Sequence, residues 1–170
     1  MKKTKQTELK FKKLDYTTKD EQGNETVHKS EGKLPTRATA GDAGLDVYPT
    51  RMTQETDNSG KMILVYHTDI AVEIPEGYMG LLMMKSSVSK RSVTLCNAVG
   101  LIDSGYRGEI VGKFKMTTDA IPTVYAMDEP FAQLVIVPCS ILEPVMVDEL
   151  SESERGEKGF GEATEAAAKK

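Results

Sequence analysis

Between Val99 and Ile110 the chain reads VGLIDSGYRGEI, a stretch set between two runs with strand character. It holds an aspartate, a tyrosine, an arginine and three glycines, where a hairpin needs far less. Turn formation accounts for Asp103-Ser104-Gly105. It does not account for an acid placed directly after Leu101-Ile102, or for the Tyr106-Arg107 pair beyond the turn. A carboxylate so placed can orient and deprotonate water, a weak nucleophile. Taken alone, Asp103 fits that role and the role of a turn-forming residue equally well, and Tyr106 fits either a flat binding surface or an ordinary strand aromatic.

Three further segments carry chemistry. Lys85-Ser86-Ser87-Val88-Ser89-Lys90-Arg91 follows an apolar strand. Its hydroxyls and amides, at the start of a short helical turn and beside a lysine, suit a phosphate chain, although a solvent-facing basic strand end would read the same way. Ala40-Gly41-Asp42-Ala43-Gly44-Leu45-Asp46 is a turn running into a strand, with Asp46 placed either to cap the turn or to face a metal. Arg155-Gly156-Glu157-Lys158-Gly159-Phe160-Gly161 lies in a tail otherwise poor in apolar residues. Its glycines let amides converge on phosphate oxygens, Arg155 supplies a planar fork, and Phe160 offers a ring for stacking. By composition the same tail is a flexible, soluble terminus. His28 and His67 have no ligand-spaced partner and are read as incidental, and no Walker loop, zinc spacing or nucleophile elbow is present.

Short β-rich runs must position these groups: Met62–Tyr66, Ile70–Ile74, Met79–Met84, Ser92–Cys96, Glu109–Met116, Pro122–Ala126 and Phe131–Pro138. Turn signals such as Pro75-Glu76-Gly77 and Asp128-Glu129-Pro130 separate them. Regular short runs with Gly and Pro punctuation predict an all-β sandwich or barrel, with a single helical turn near Ser87–Arg91 at most. The polar segment 15–33 predicts an extended hairpin or loop inserted after a first strand near Leu9–Leu14. Residues 1–150 are expected to form one β domain, and 151–170 a mobile C-terminal tail.

With 170 residues, 39% of them hydrophobic, and a net charge of −4, the chain can bury a core without staples. Its mild acidity speaks against a general nucleic-acid binder, and no run is long enough to span a membrane. Cys96 and Cys139 lie in apolar runs and are expected to be buried free thiols of a reducing compartment. The basic N-terminus has no apolar segment behind it and does not read as a secretory signal. A cytoplasmic location is the expectation.

In their order the segments resemble the five motifs of the homotrimeric dUTPase family, the dUTP diphosphatases. Ala43-Gly44-Leu45-Asp46 fits the first motif, A-G-x-D, and Lys85-Ser86-Ser87 the second, R-S-S/G, with lysine for arginine. Gly100 to Gly108, preceded by Asn97, matches the third, G-V/L-I-D-x-x-Y-R/Q-G, throughout. Phe131-Ala132-Gln133-Leu134 fits the fourth, R-x-A-Q-L, with Pro130 in place of its arginine. Arg155-Gly156 and Gly159-Phe160-Gly161 fit the fifth, with Lys158 for a glycine and Glu162-Ala163 where hydroxyl residues are usual. The resemblance covers roughly 34–161 and leaves the 15–33 segment outside.

The resemblance implies a dUTPase-like, jelly-roll-type β-barrel that hydrolyses dUTP to dUMP and pyrophosphate, limiting uracil in DNA and supplying dUMP for dTMP synthesis. It implies Mg²⁺ held mainly by the triphosphate, with Asp46 reaching it through water, and Asp103 as the base for the attacking water. Tyr106 would lie beneath the deoxyribose and exclude a 2′-hydroxyl. Asn97, Gly100 and Ile102 would belong to a hairpin that reads uracil largely through backbone groups. Lys85, Ser86, Ser87 and Gln133 would contact the phosphates, and Arg107 would bridge subunits or hold the hairpin. Arg155, Gly159, Phe160 and Gly161 would arrive on a neighbouring subunit's tail in a homotrimer with shared sites.

Two other readings use the same scaffold. A dCTP deaminase would place a glutamate on the strand after the third motif, where this chain reads Val111-Gly112-Lys113-Phe114-Lys115-Met116 with no acid. A catalytically weak nucleotide-binding or regulatory protein is the other, prompted by the altered fourth and fifth motifs.

Overall fold

The computed structural model describes residues 8–157. They fall into two units that divide between Ser140 and Ile141, and the strands all belong to the first. In chain order these are β1 (Lys10–Lys13), β2 (Tyr16–Lys19), β3 (Glu25–His28), β4 (Leu45–Val47), β5 (Arg51–Thr56) and β6 (Met62–His67). There follow β7 (Ile70–Glu73), β8 (Tyr78–Met83), β9 (Val93–Leu95), β10 (Gly100–Ile102), β11 (Val111–Met116) and β12 (Ala132–Pro138). A 3-10 turn, Ser86–Lys90, is the one helical piece among the described residues, and no helix there is long and apolar enough to cross a membrane.

Alternation of side chains fixes which face of each strand turns inward. In β11, Gly112 and Phe114 are buried while Lys113 and Lys115 stay in solvent. In β8 the buried positions are Gly80 and Leu82, and in β12 they are Ala132 and Leu134. Four strands form one sheet in the order β10-β8-β12-β4, and four form another in the order β5-β6-β11-β9. Leu45, Val47, Leu82, Ile102 and Leu134 of the first share a single core with Leu64, Tyr66, Val93, Leu95 and Phe114 of the second. The result is an all-β, jelly-roll-like architecture, all-β as the strand spacing predicts and jelly-roll-like as the resemblance implies.

Aromatic rings mark the centre of that core. Tyr66 stacks on Phe131 at 5.2 Å and meets Phe114 edge-on at 5.5 Å. The buried Tyr66 hydroxyl donates to the Tyr125 carbonyl at 3.0 Å, which satisfies its one polar atom. Burying a ring of this size is worth roughly 1.5–3 kcal/mol. Gly112 is part of the same packing, since a Cβ there would lie 2.5 Å from Phe131 and 2.8 Å from Phe114.

Outside the two large sheets, β1 pairs with β7 and β2 with β3, both antiparallel. The 15–33 segment is therefore a hairpin, closed by Asp20, whose carboxylate accepts from the amides of Gln22 and Asn24.

Two expectations need correction, and one strand was not foreseen. Pro122–Ala126 is not a strand. Pro122 has no N–H to give a ladder, and the carbonyls of Thr123 and Tyr125 are taken by the Ser92 amide and the Tyr66 hydroxyl. Arg51–Thr56 is a strand that its polar sequence hides, because most of its side chains face solvent beside β6. Cys96 is exposed and Cys139 half-buried, both unpaired. The inward positions of β9 are Val93 and Leu95, so alternation turns Cys96 outward.

Substituting Gly112→Ala will overpack the ring cluster and destabilise the fold by about 1–3 kcal/mol. Urea unfolding followed by circular dichroism checks this, and an unchanged or raised midpoint would count against the packing described.

Candidate active site

The third-motif stretch leaves β9 at Leu95 and turns back through Ala98, which takes a left-handed φ of 57°. It then enters β10, whose Gly100 and Ile102 pair with Leu82 and Gly80 of β8. Beyond β10 a tight turn is closed by the Tyr106 amide, which donates to the Asp103 carbonyl at 3.1 Å. Asp103 is exposed, and so is about half of Tyr106. A cleft of about 190 Å³ opens here, and Asn97, Gly100, Ile102, Asp103 and Tyr106 all line it together with Glu109. Five of the residues singled out in the sequence thus meet on one concave surface.

The turn is braced from within. Arg107 donates to the carbonyls of Ser104 at 2.6 Å and Tyr106 at 2.9 Å. The Tyr106 hydroxyl donates to the Glu109 carbonyl at 3.0 Å, and its ring fills the space that a side chain at Gly108 would need.

Glu109 and His67 were given no role by sequence reasoning, and the structure places both in one polar cluster. One Glu109 carboxylate oxygen accepts from the amides of Thr68 at 3.1 Å and Asp69 at 2.8 Å. The other faces His67 Nδ1 at 3.0 Å and accepts from Arg51 at 3.3 Å. Arg51 also reaches the buried Asp69 carboxylate at 3.2 Å. Burial by itself would push the Glu109 carboxyl up. The hydrogen bonds from His67 and the Asp69 amide, with the charges of His67 and Arg51, outweigh it and hold the group below its ordinary value. The sequence did hold a signal, since Glu109 directly follows the Gly108 that ends the third motif.

A second group of expected residues assembles elsewhere on the same sheet. Asp46 of β4 and Gln133 of β12 are register partners, and Gln133 is also opposite Met83 of β8. Lys85 lies two residues beyond β8 and forms a partly buried ion pair with Asp46. Gln133 donates to the Met84 carbonyl at 3.3 Å. The 3-10 turn then presents Ser86, exposed, and Ser87, half-buried. Next to it, Arg91 grips Glu129 with two bonds of 2.7 and 2.8 Å, tying the turn to the loop before β12.

None of Asp46, Lys85, Ser86, Ser87 and Gln133 lines the cleft. The two groups sit toward opposite edges of one sheet, β10 and β4 being its outer strands. In the second unit, Gly156 closes a turn by donating to the Ser153 carbonyl at 3.1 Å, next to an exposed Arg155. Gly159, Phe160 and Gly161 lie outside the described residues. No cluster of three or more acidic, His or Cys ligands occurs among the described residues.

A family model described as dUTPase matches residues 30–164. A deoxyuridine 5′-triphosphate nucleotidohydrolase of Burkholderia cenocepacia is 39% identical over 132 residues, covering 75% of this chain and 86% of that protein. Its counterpart from Leifsonia xyli is 35% identical over 130 residues, 76% and 84% of the two chains. Among solved structures, a dUTPase variant of Staphylococcus bacteriophage 80alpha, bound to dUpNHpp, aligns with a TM-score of 0.70 and 29% identity. That alignment covers 92% of this chain and 98% of the phage protein. A variant dUTPase from phage phi11 of S. aureus, whose structure shows coordination of a structural Mg(II) ion, aligns at 0.62 with 26% identity over 84% and 98%.

The Glu109 cluster makes stability depend on pH. With the folded-state pKa below the ordinary 4.5, the unfolded chain takes up the proton first. The contribution is therefore complete above 4.5 and is lost as pH falls through the lower folded value. Thermal unfolding between pH 6 and about pH 3 will show the midpoint falling in that window, and Glu109→Gln will remove part of the slope. An identical slope in the variant would contradict the cluster's electrostatics.

Proposed function

The chain belongs to the dUTPase family and is a dUTP diphosphatase, and from that premise we propose how its residues divide the work. The observation that carries the reading is the meeting of Asn97, Gly100, Ile102, Asp103 and Tyr106 in one cleft. The reaction is attack by water on the α-phosphorus of dUTP, yielding dUMP and pyrophosphate. Water is a poor nucleophile and the triphosphate repels it, so a base, charge neutralisation and alignment are each required.

Asp103 orients the water and takes its proton. Its exposed place at the tip of a braced turn supports this role, because a base must meet both solvent and substrate. The Tyr106 face lies beneath the deoxyribose and leaves no room for a ribose 2′-hydroxyl. The hairpin formed by Asn97, Gly100 and Ile102 reads uracil through backbone donors and acceptors, which mismatch cytosine and crowd the thymine methyl. Lys85, Ser86, Ser87 and Gln133 hold the phosphates, with Arg155, Gly159, Phe160 and Gly161 closing over the nucleotide.

Mg²⁺ fits this site only as a companion of the substrate. With no ligand cluster among the described residues, the ion would be held mainly by the triphosphate, and Asp46 is the residue that would meet it through water. When bound, it neutralises negative charge on the phosphates.

The site is completed in a homotrimer. Two observations support this. The nucleoside residues and the phosphate residues sit toward opposite edges of one sheet, so neither edge alone makes a whole site. In the second unit, Ile141, Leu142, Val145, Met146 and Leu150 are each more than three-quarters exposed, and so many exposed large apolar side chains within ten residues favour an interface. The free cysteines support a cytoplasmic location.

Pyrophosphate release from dUTP with Mg²⁺ present tests the chemistry. Asp103→Asn will lower kcat by about 100-fold or more with a small change in KM, and full activity in that variant would remove Asp103 from its role. Light scattering during gel filtration will give three times the chain mass. A monomer that retains full activity would sink the shared site.

A further inference from the structure

We propose that Glu109 is the positioning residue of the nucleotide cleft, its carboxylate fixing the Asp103–Tyr106 turn to the body of the fold. The proposal rests on the reading of Asp103 and Tyr106 given above.

The bonds from Arg107 and the Tyr106 amide stay within the turn. They give it a shape but no orientation. Orientation comes from β10 on one side and from residues 109 and 110 on the other. The Ile110 amide donates to the Ile70 carbonyl at 2.9 Å, and the Thr68 hydroxyl donates to the Ile110 carbonyl at 2.7 Å. The Glu109 side chain completes this zipper. Asp69 holds a left-handed φ of 52°, which lets the successive amides of Thr68 and Asp69 converge on one carboxylate oxygen. The Tyr106 hydroxyl, bonded to the carbonyl of the same Glu109, passes the constraint to the ring that faces the sugar.

Only a glutamate suits this place. Two backbone amides, His67 Nδ1 and Arg51 all point at the carboxylate, so the acceptor needs two oxygens and no hydrogen. Glutamine turns an NH₂ toward at least one donor, and aspartate is one methylene too short. The Arg51 guanidinium is itself held over the Tyr16 ring at 4.3 Å. Tyr16 lies before residue 30, where the family match begins, so the N-terminal hairpin adds to the brace from outside the family pattern.

Steady-state kinetics of the full chain with dUTP and with UTP test the proposal. In Glu109→Gln, kcat/KM for dUTP will fall about tenfold or more, since a small misplacement of positioned groups is costly. The preference for dUTP over UTP will fall at least about threefold, because a loosened Tyr106 no longer guards the 2′ position. Loss of stability alone does not alter that ratio below the unfolding range. A folded Glu109→Gln with both quantities within about twofold of the parent overturns the proposal. If Glu109→Gln fails to fold, His67→Leu and His67→Asn decide. Asparagine offers an N–H near the place of Nδ1, so His67→Asn will recover what His67→Leu loses, and identical behaviour of the two overturns the proposal. An active Asp103→Asn would remove the underlying reading, whereas an inactive Asp103→Asn beside an unaffected Glu109→Gln would remove only the positioning role.

Discussion

A carboxylate withdrawn from water is costly unless donors replace its hydration, and at the corner between β6 and β7 this chain gathers four of them around Glu109. Hydrogen bonds to a charged group contribute roughly 1.5–3 kcal/mol each, so the cluster is a strong local anchor. The Asp69 carbonyl at the same corner accepts from the Leu14 amide and the Ser30 hydroxyl. Two amides of one dipeptide hold the Glu109 carboxylate, and a carbonyl of the same dipeptide receives the N-terminal segment. The left-handed backbone at Asp69 makes this double use possible and costs of order 1–3 kcal/mol of strain, which the surrounding bonds offset.

The aromatic core serves the other half of the site. Phe131 is stacked on Tyr66, and the residues that follow it run directly into β12. Its packing sets the height at which Gln133 meets Asp46 and Met83. On the division of the site proposed above, phosphate recognition is referenced to the hydrophobic centre and sugar recognition to the polar corner, and both are tied to β6 through Tyr66 and His67.

Much of this was legible from the sequence, and the reasons are physical. β11 buries alternate residues, and the alternation is visible in its letters, while β8 and β12 announce themselves as short apolar runs between turn signals. The five motif segments each carry residue types that a turn or a strand does not need. The polar β5 was hidden because an exposed edge strand has no apolar face to print a period. Pro122–Ala126 misled because β-prone residues there spend their carbonyls on single bonds from Ser92 and Tyr66. Of the Glu109 cluster the sequence showed only the place of Glu109 beside Gly108. Its partners lie about forty residues away along the chain, and no local spacing records such pairings.

In the phosphate-holding role proposed for Lys85, its ion pair with Asp46 has a consequence for what the enzyme ignores. A solitary lysine in a phosphate pocket attracts any small anion in the cell, and the pocket would spend much of its time occupied by orthophosphate or by unrelated nucleotides. Here the positive charge already has a carboxylate partner, so an incoming anion gains little by contact with the ammonium alone. A ligand must offer enough further contacts to compete with that carboxylate. The pair thus acts as a threshold against weak competitors.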